Sequence, residues 1–220
     1  MAATRTLTAN SSSTSALTTY TFAGLSIGAT TAGRKVVAVF TARSGSSISL
    51  SSCTIGGVAA TCTTMVTGTS AIAIAVVDLT SGTTADVVPT WSAAAARCAV
   101  AVYAMFGAAS NTPSATGSDT TDAFTYSLTC AAGSVVFGAA TDAENTTFTS
   151  TNLTEDVDST YFSQGYTMSS AEFATAQTGL TLTLDAAATI SGAGGFAVFI
   201  AASNSPPFKR PSPRIFARRF

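Results

Sequence analysis

The chain has 220 residues, of which 10% are charged and 46% hydrophobic, and its ten basic and eleven acidic side chains leave a formal net charge of -1. Average globular domains carry roughly 25% charged residues, so this surface relies on uncharged polar groups, while the apolar content excludes a chain disordered by charge and polarity. Histidine is absent, which removes the commonest general base and the commonest transition-metal ligand and speaks against an enzyme.

Ala, Thr and Ser occur 42, 39 and 28 times. At 22.0 kDa, surface scaling buries roughly 70% of the unfolded surface, enough for one sizeable core. Residues 1–13 are Thr- and Ser-rich, with no apolar stretch for an export signal, so synthesis in the cytosol is expected. From there apolar residues recur at period two over 17–22, 36–41, 48–55, 71–77, 86–91, 124–128, 135–140, 161–168, 180–184 and 195–201, with Thr or Ser between them in runs such as 124–128 and 180–184. The stretch 92–109 is ambiguous. Ala93, Ala94, Ala95 and Ala96 favour helix, whereas alternation through Cys98, Val100, Val102, Ala104 and Phe106 favours a strand over 97–106. Both faces of that run are apolar, as in a central strand or one covered by another subunit. Turn clusters at 80–84 and 131–134 separate the runs. About twelve short strands at this spacing predict an all-β chain, an antiparallel β-sandwich or jelly roll over 1–203, with a distinct segment at 204–220. The uncharged stretches 98–118 and 186–205 are diluted by Gly, Ser, Thr and Asn, and no membrane span is expected.

Chemical motifs are sparse. Gly24-Leu25-Ser26-Ile27-Gly28 matches a nucleophile elbow, but the chain offers no histidine, and Lys35 is the only lysine before residue 209. No phosphate-binding loop or dinucleotide fingerprint occurs. Asp142 with Glu144, and Glu155 with Asp156 and Asp158, supply oxygen ligands of the kind Ca²⁺ takes, yet without a calcium-loop pattern they read as solvated loop charges. The Asn-x-Ser/Thr triplets at Asn10, Asn145 and Asn152 are expected to stay unmodified. If 56–59 formed a four-residue hairpin loop, Cys53 would lie opposite Cys62 within disulfide reach. Cytosolic synthesis favours free thiols for these two and for Cys98 and Cys130. No cofactor and no metal are expected.

Charge divides the chain sharply. Residues 1–208 hold five basic and eleven acidic groups, 5 - 11 = -6, whereas 209–220 hold five basic groups and no acid. Pro206, Pro207, Pro211 and Pro213 favour an extended arm. Phe208, Ile215, Phe216 and Phe220 interleave with Lys209, Arg210, Arg214, Arg218 and Arg219, a pattern suited to docking by aromatic anchors and guanidinium–carboxylate pairs. Binding of nucleic acid by this one patch on an acidic body is not expected.

The succession 34–43 (RKVVAVFTAR), 54–61 (TIGGVAAT) and 97–103 (RCAVAVY) resembles β-rich proteins encoded in the structural gene clusters of tailed bacteriophages, over roughly residues 15–202. The resemblance implies a virion component of the head-decoration or tail and fibre class, with a sandwich fold and no catalytic residues. Its partners would be capsid or tail proteins and further copies of itself. The alternative from another class is an adhesin module binding a host-surface glycan or receptor, which would display an exposed aromatic platform.

Overall fold

The computed structural model describes residues 1–161, 163–188 and 191–203. They form eighteen strands and no helix: β1 (Thr4–Ser13), β2 (Leu17–Thr19), β3 (Phe22–Ser26), β4 (Lys35–Ile48), β5 (Leu50–Ile55), β6 (Val58–Ala59), β7 (Thr61–Val66), β8 (Gly68–Asp78), β9 (Thr84–Ala95), β10 (Arg97–Phe106), β11 (Ala115–Asp119), β12 (Phe124–Cys130), β13 (Ser134–Asp142), β14 (Phe148–Thr151), β15 (Thr154–Thr160), β16 (Gly165–Phe173), β17 (Gln177–Ala186) and β18 (Gly192–Phe199). The expected count of about twelve falls short because edge strands such as β1, β11 and β15 carry only one or two apolar residues each, too few to show as hydrophobic alternation. The alanine run resolves as strand: Ala93, Ala94 and Ala95 end β9, and burial against neighbouring layers overrides helix propensity.

Every pairing between strands is antiparallel, and the strands form four sheets. Sheet I has the order β1-β10-β4-β8-β7, and sheet II has β2-β9-β5-β6 with β3 also on β9. Sheet III is β11-β18-β13-β16-β15, and sheet IV is β12-β17-β14. The second half of the chain thus repeats the strand order of the first: β11, β18, β13, β16 and β15 take the places of β1, β10, β4, β8 and β7, and β12, β17 and β14 those of β2/β3, β9 and β5.

Side-chain alternation turns these sheets into four layers. On β4, Val36, Ala38 and Phe40 face sheet II in one core, where Phe40 meets Trp91 edge-on at 6.4 Å. Val37 and Val39 point the other way and join Ile74, Val76, Tyr103, Phe137, Met168 and Phe199 in a core between sheets I and III. A third core between sheets III and IV collects Val136, Phe196 and Val198 with Phe124, Leu182 and Leu184. The two-faced apolar runs of β4, β8, β10 and β13 therefore meet sheets of the same chain on both sides. Each large aliphatic or aromatic side chain so buried contributes about 1.5–3 kcal/mol. β18 shows what close layers demand: a Cβ on Gly195 would come within 2.9 Å of the Met65 Cβ in sheet I, and one on Gly194 would meet the Phe124 ring in sheet IV.

Two local features depart from expectation. Gly56 and Gly57, with φ of +61° and +77°, close a two-residue hairpin that pairs Ile55 with Val58 and Thr54 with Ala59, rather than a four-residue loop pairing Ile55 with Ala60. Cys53 then stays in sheet II while Cys62 lies on β7 in sheet I, and all four cysteines are free thiols. Burial raises the Cys53 thiol to about 12 and pushes Cys98 up as well.

Arg34 precedes β4 and is fully buried. Its Nε donates to the Leu79 carbonyl at 2.7 Å, Nη1 to those of Gly28 and Ala29 at 2.8 Å, and Nη2 to those of Ser81 and Gly82 at 2.7 and 2.9 Å. One guanidinium thereby fastens two loops through five backbone oxygens. Arg34→Met should lower unfolding stability by about 3 kcal/mol, because it removes five part-buried hydrogen bonds made by one charged group. Arg34→Lys should recover less than half of that, since an ammonium lacks the planar fork. Urea denaturation of the three proteins measures both.

Candidate functional site

The expected partner-binding residues, Phe208, Lys209, Arg210, Arg214, Ile215, Phe216, Arg218, Arg219 and Phe220, lie outside the described residues. The described body adds a division of charge that its overall sum conceals. Residues 1–107 hold five basic groups and two acidic ones, Asp78 and Asp86, giving 5 - 2 = +3. Residues 108–203, which supply sheets III and IV, hold nine acidic groups and no Lys or Arg, giving -9. The two topologically equivalent halves are electrostatic opposites.

A cleft opens where the acidic half meets β1 of the other half. A space of about 400 Å³ opens between Arg5 of β1, the Ala171–Glu172–Phe173 end of β16, and Asn152, Leu153 and Thr154 at the turn from β14 to β15. Arg5 is the tie across it. Its backbone N donates to Glu172 Oε1 at 2.8 Å, and its Nη2 donates to the Ser170 carbonyl at 3.0 Å. Beneath, Asp156 Oδ2 accepts from Tyr103 Oη at 3.0 Å and from Ser170 Oγ. Burial, with the Asp156 charge beside it, pushes the Tyr103 hydroxyl well above its ordinary value, so it remains a neutral donor at physiological pH. The turn is shaped by Asn152, whose φ of +60° is a left-handed conformation that Asn tolerates, and whose Nδ2 donates to the Thr181 carbonyl at 2.9 Å. Leu153 and Phe173 are partly buried apolar walls. Further grooves adjoin: Ala2, Gly133, Ala174, Glu172 and Phe173 line one, and Met1, Ala2, Gly133 and Ala174 share another with Ala202 and Ser203, where the described chain ends.

Next to the cleft, β15 is the edge of sheet III, paired only with β16. Glu155, Asp156 and Asp158 lie on this strand, not in a loop as expected. Burial raises the pKa of Glu155, and the neighbouring Asp158 adds to the effect. Asp158 is itself raised by burial, against a hydrogen bond from the Phe148 N–H. Asp142 ends β13 fully buried, away from Glu144's exposed carboxylate, with Oδ1 accepting the Glu144 N–H and Oδ2 unpartnered. No three metal-ligating side chains converge among the described residues.

Other motif residues are brought into no constellation. Ser26 is exposed at the end of β3 with no helix after it, and its Oγ accepts only a long contact from the Gly28 N–H at 3.5 Å. Lys35 Nζ is bonded to Asp78 and Asn111, both at 2.8 Å. Trp91 is only 1% exposed. The sequence reading did not join Arg5, Asn152, Leu153, Glu172 and Phe173, because they come from three separate stretches of the chain and only Asn152 belongs to a motif, an Asn-x-Thr triplet that says nothing of the cleft. The missing signal was the charge count of the second half alone. No family model matches the chain, and neither a curated protein nor a solved structure shows significant similarity to it.

The raised carboxyls make stability depend on pH in a definite sense. A carboxyl whose folded pKa exceeds its unfolded value takes up a proton more readily when folded, so mild acidification stabilises the fold. Asp142, raised chiefly by burial, and Glu155 and Asp158 act in this way from neutrality down toward the ordinary carboxylate value of about 4. Asp119 opposes them lower down. Burial alone would raise it, but hydrogen bonds from Thr121 and Thr125 hold it at about 2, so its contribution is lost only as pH falls from about 4 toward that value. The urea midpoint should therefore rise between pH 7 and pH 5, and Asp142→Asn should raise the pH 7 midpoint while flattening the slope.

Proposed function

We propose that the protein is a non-enzymatic structural component of a tailed-bacteriophage particle, of the head-decoration or tail and fibre class, made in the host cytoplasm and attached to a neighbouring virion protein through its C-terminal arm. We read each half as a jelly-roll variant. The order β1-β10-β4-β8 against β2-β9-β5 follows the two-sheet wrapping of a jelly roll, with the fifth strand added to the first sheet, and β11 to β18 do the same. Jelly rolls recur in viral capsid and lectin domains. The observation that carries the reading is the pairing of a -9 half with a +5 arm in a chain otherwise poor in charge.

Lateral contact has support from the outer sheets. The solvent face of sheet IV presents Thr125, Ser127, Thr149, Thr151 and Thr181, an exposed array of hydroxyl groups with little charge to keep neighbours apart. The glycan-binding alternative draws no support from Trp91, whose ring is enclosed against Phe40 instead of forming a platform.

Deleting residues 206–220 should leave the melting temperature of the body within about 2 °C of the full chain while abolishing its incorporation into particles. Differential scanning calorimetry gives the first quantity, and electron microscopy of purified particles gives the second. Full occupancy by the truncated chain would overturn the assignment.

A further inference from the structure

We propose that the arm is received by a second copy of this chain, in the cleft between β1, β16 and the β14–β15 turn together with the neighbouring edge strand β15. This rests on the reading of residues 204–220 as an attachment device and names the surface they attach to.

Three observations converge on that surface. The first is charge complementarity: Arg5 of β1 is the one cation lining the cleft, the half of the body that supplies its other walls and β15 has nine carboxylates and no Lys or Arg, and the arm has five cations and no carboxylate side chain. Such patches attract at long range and set orientation on approach. The second is the edge itself. β15 leaves one row of backbone N–H and C=O groups unpaired by any strand, and an exposed edge adds an incoming strand readily. Glu155 and Asp158 disfavour a second acidic β15 there, so the edge is guarded against its own like and open to a basic chain. Residues 214–220 suit that role, because none is proline and, at a strand's period of two, Arg214, Phe216, Arg218 and Phe220 would share one face. The third is the cleft at the start of β15, about 400 Å³ and largely polar, where Glu172 can meet a guanidinium while the partly buried Leu153 and Phe173 offer an adjoining aromatic ring a limited apolar contact.

The donor belongs to another copy for a reason of reach. Ser203 lies on the groove that adjoins this cleft through Ala2, Gly133, Ala174 and Phe173. Residues 206–213 include four prolines, and a spacer of that composition is stiff and spans roughly 25 Å, which favours a site on a neighbouring body over one close to the arm's own root. Donor and acceptor are different surfaces, so the contact is head-to-tail and builds a ring or an open row.

Sedimentation velocity of the full chain at low and high salt tests this, with two charge-reversed variants. In the first, Arg214, Arg218 and Arg219 become Glu; in the second, Glu155 and Glu172 become Lys. Circular dichroism and thermal melting establish that each is folded like the parent. The parent should self-associate with concentration and dissociate as salt rises. Each variant alone should associate at least tenfold more weakly, and an equimolar mixture should recover association, because the first retains an acidic cleft for the second's basic arm and the reversed pair also matches. A parent that stays monomeric at all concentrations, or a mixture no more associated than its components, overturns the proposal. If particles nevertheless incorporate the parent and exclude the arm deletion, the acceptor is another virion protein and the attachment reading stands. If incorporation does not need the arm, that reading falls as well.

Discussion

The structure depends on the face-to-face burial of sheets I and III. Tyr103 meets Phe137 with ring centres 4.9 Å apart, and Phe137 meets Phe199 at 5.9 Å, both in edge-to-face geometry, within a layer of Val37, Val39, Ile74, Val76 and Met168. Without this interface each half would expose a broad apolar sheet to water. With it, sheets II and IV become the only outer layers, and their outward positions carry Thr and Ser. The same contact places β1 beside β16, so Arg5 bonds Ser170 and Glu172, and it places Tyr103 against Asp156. The cleft is thus a product of layer stacking, formed by groups from both halves.

Electrostatics follows a different logic from packing. The two halves share one wrapping order and have opposite net charge, so the fold tolerates either sign and the sign is free to serve contacts with other molecules. Two charges are held by clusters of hydrogen bonds. Arg34 has five carbonyl partners and Asp119 four hydrogen bonds from Thr121 and Thr125. Asp142 and Asp158 differ, each with one carboxylate oxygen buried and unpartnered. A bare buried carboxylate oxygen costs stability, and protonation relieves it.

The repeated topology explains how a chain with small side chains builds three cores. Alanine, valine and glycine let layers approach closely, as Gly194 and Gly195 do beneath Phe124 and Met65, and the few large aromatics fill what remains. Trp91 and Phe40 fill the first core, Tyr103 and Phe137 the second, Phe124 and Phe196 the third. A low content of long charged side chains is the natural composition for such a stack, because two of the four sheets have almost no solvent face on which to display them.

Much of the all-β class was legible because period-two alternation is a local consequence of the pleat, visible in Phe124 to Leu128 and in Leu180 to Leu184 without any knowledge of partners. The character of the arm was legible in the same way, since proline, charge and aromatic content are properties of the residues themselves. Four layers were not. A strand apolar on both faces reads identically whether it is covered by a neighbouring molecule or by another sheet of its own chain, and only the tertiary structure shows that β4, β10 and β13 are covered from within. The repeat of strand order was hidden because pairing depends on which strands meet, a relation between distant residues that no local pattern records. The cleft was hidden for the same reason: Arg5, Asn152 and Glu172 become neighbours only when β1 of one half is stacked beside β16 of the other.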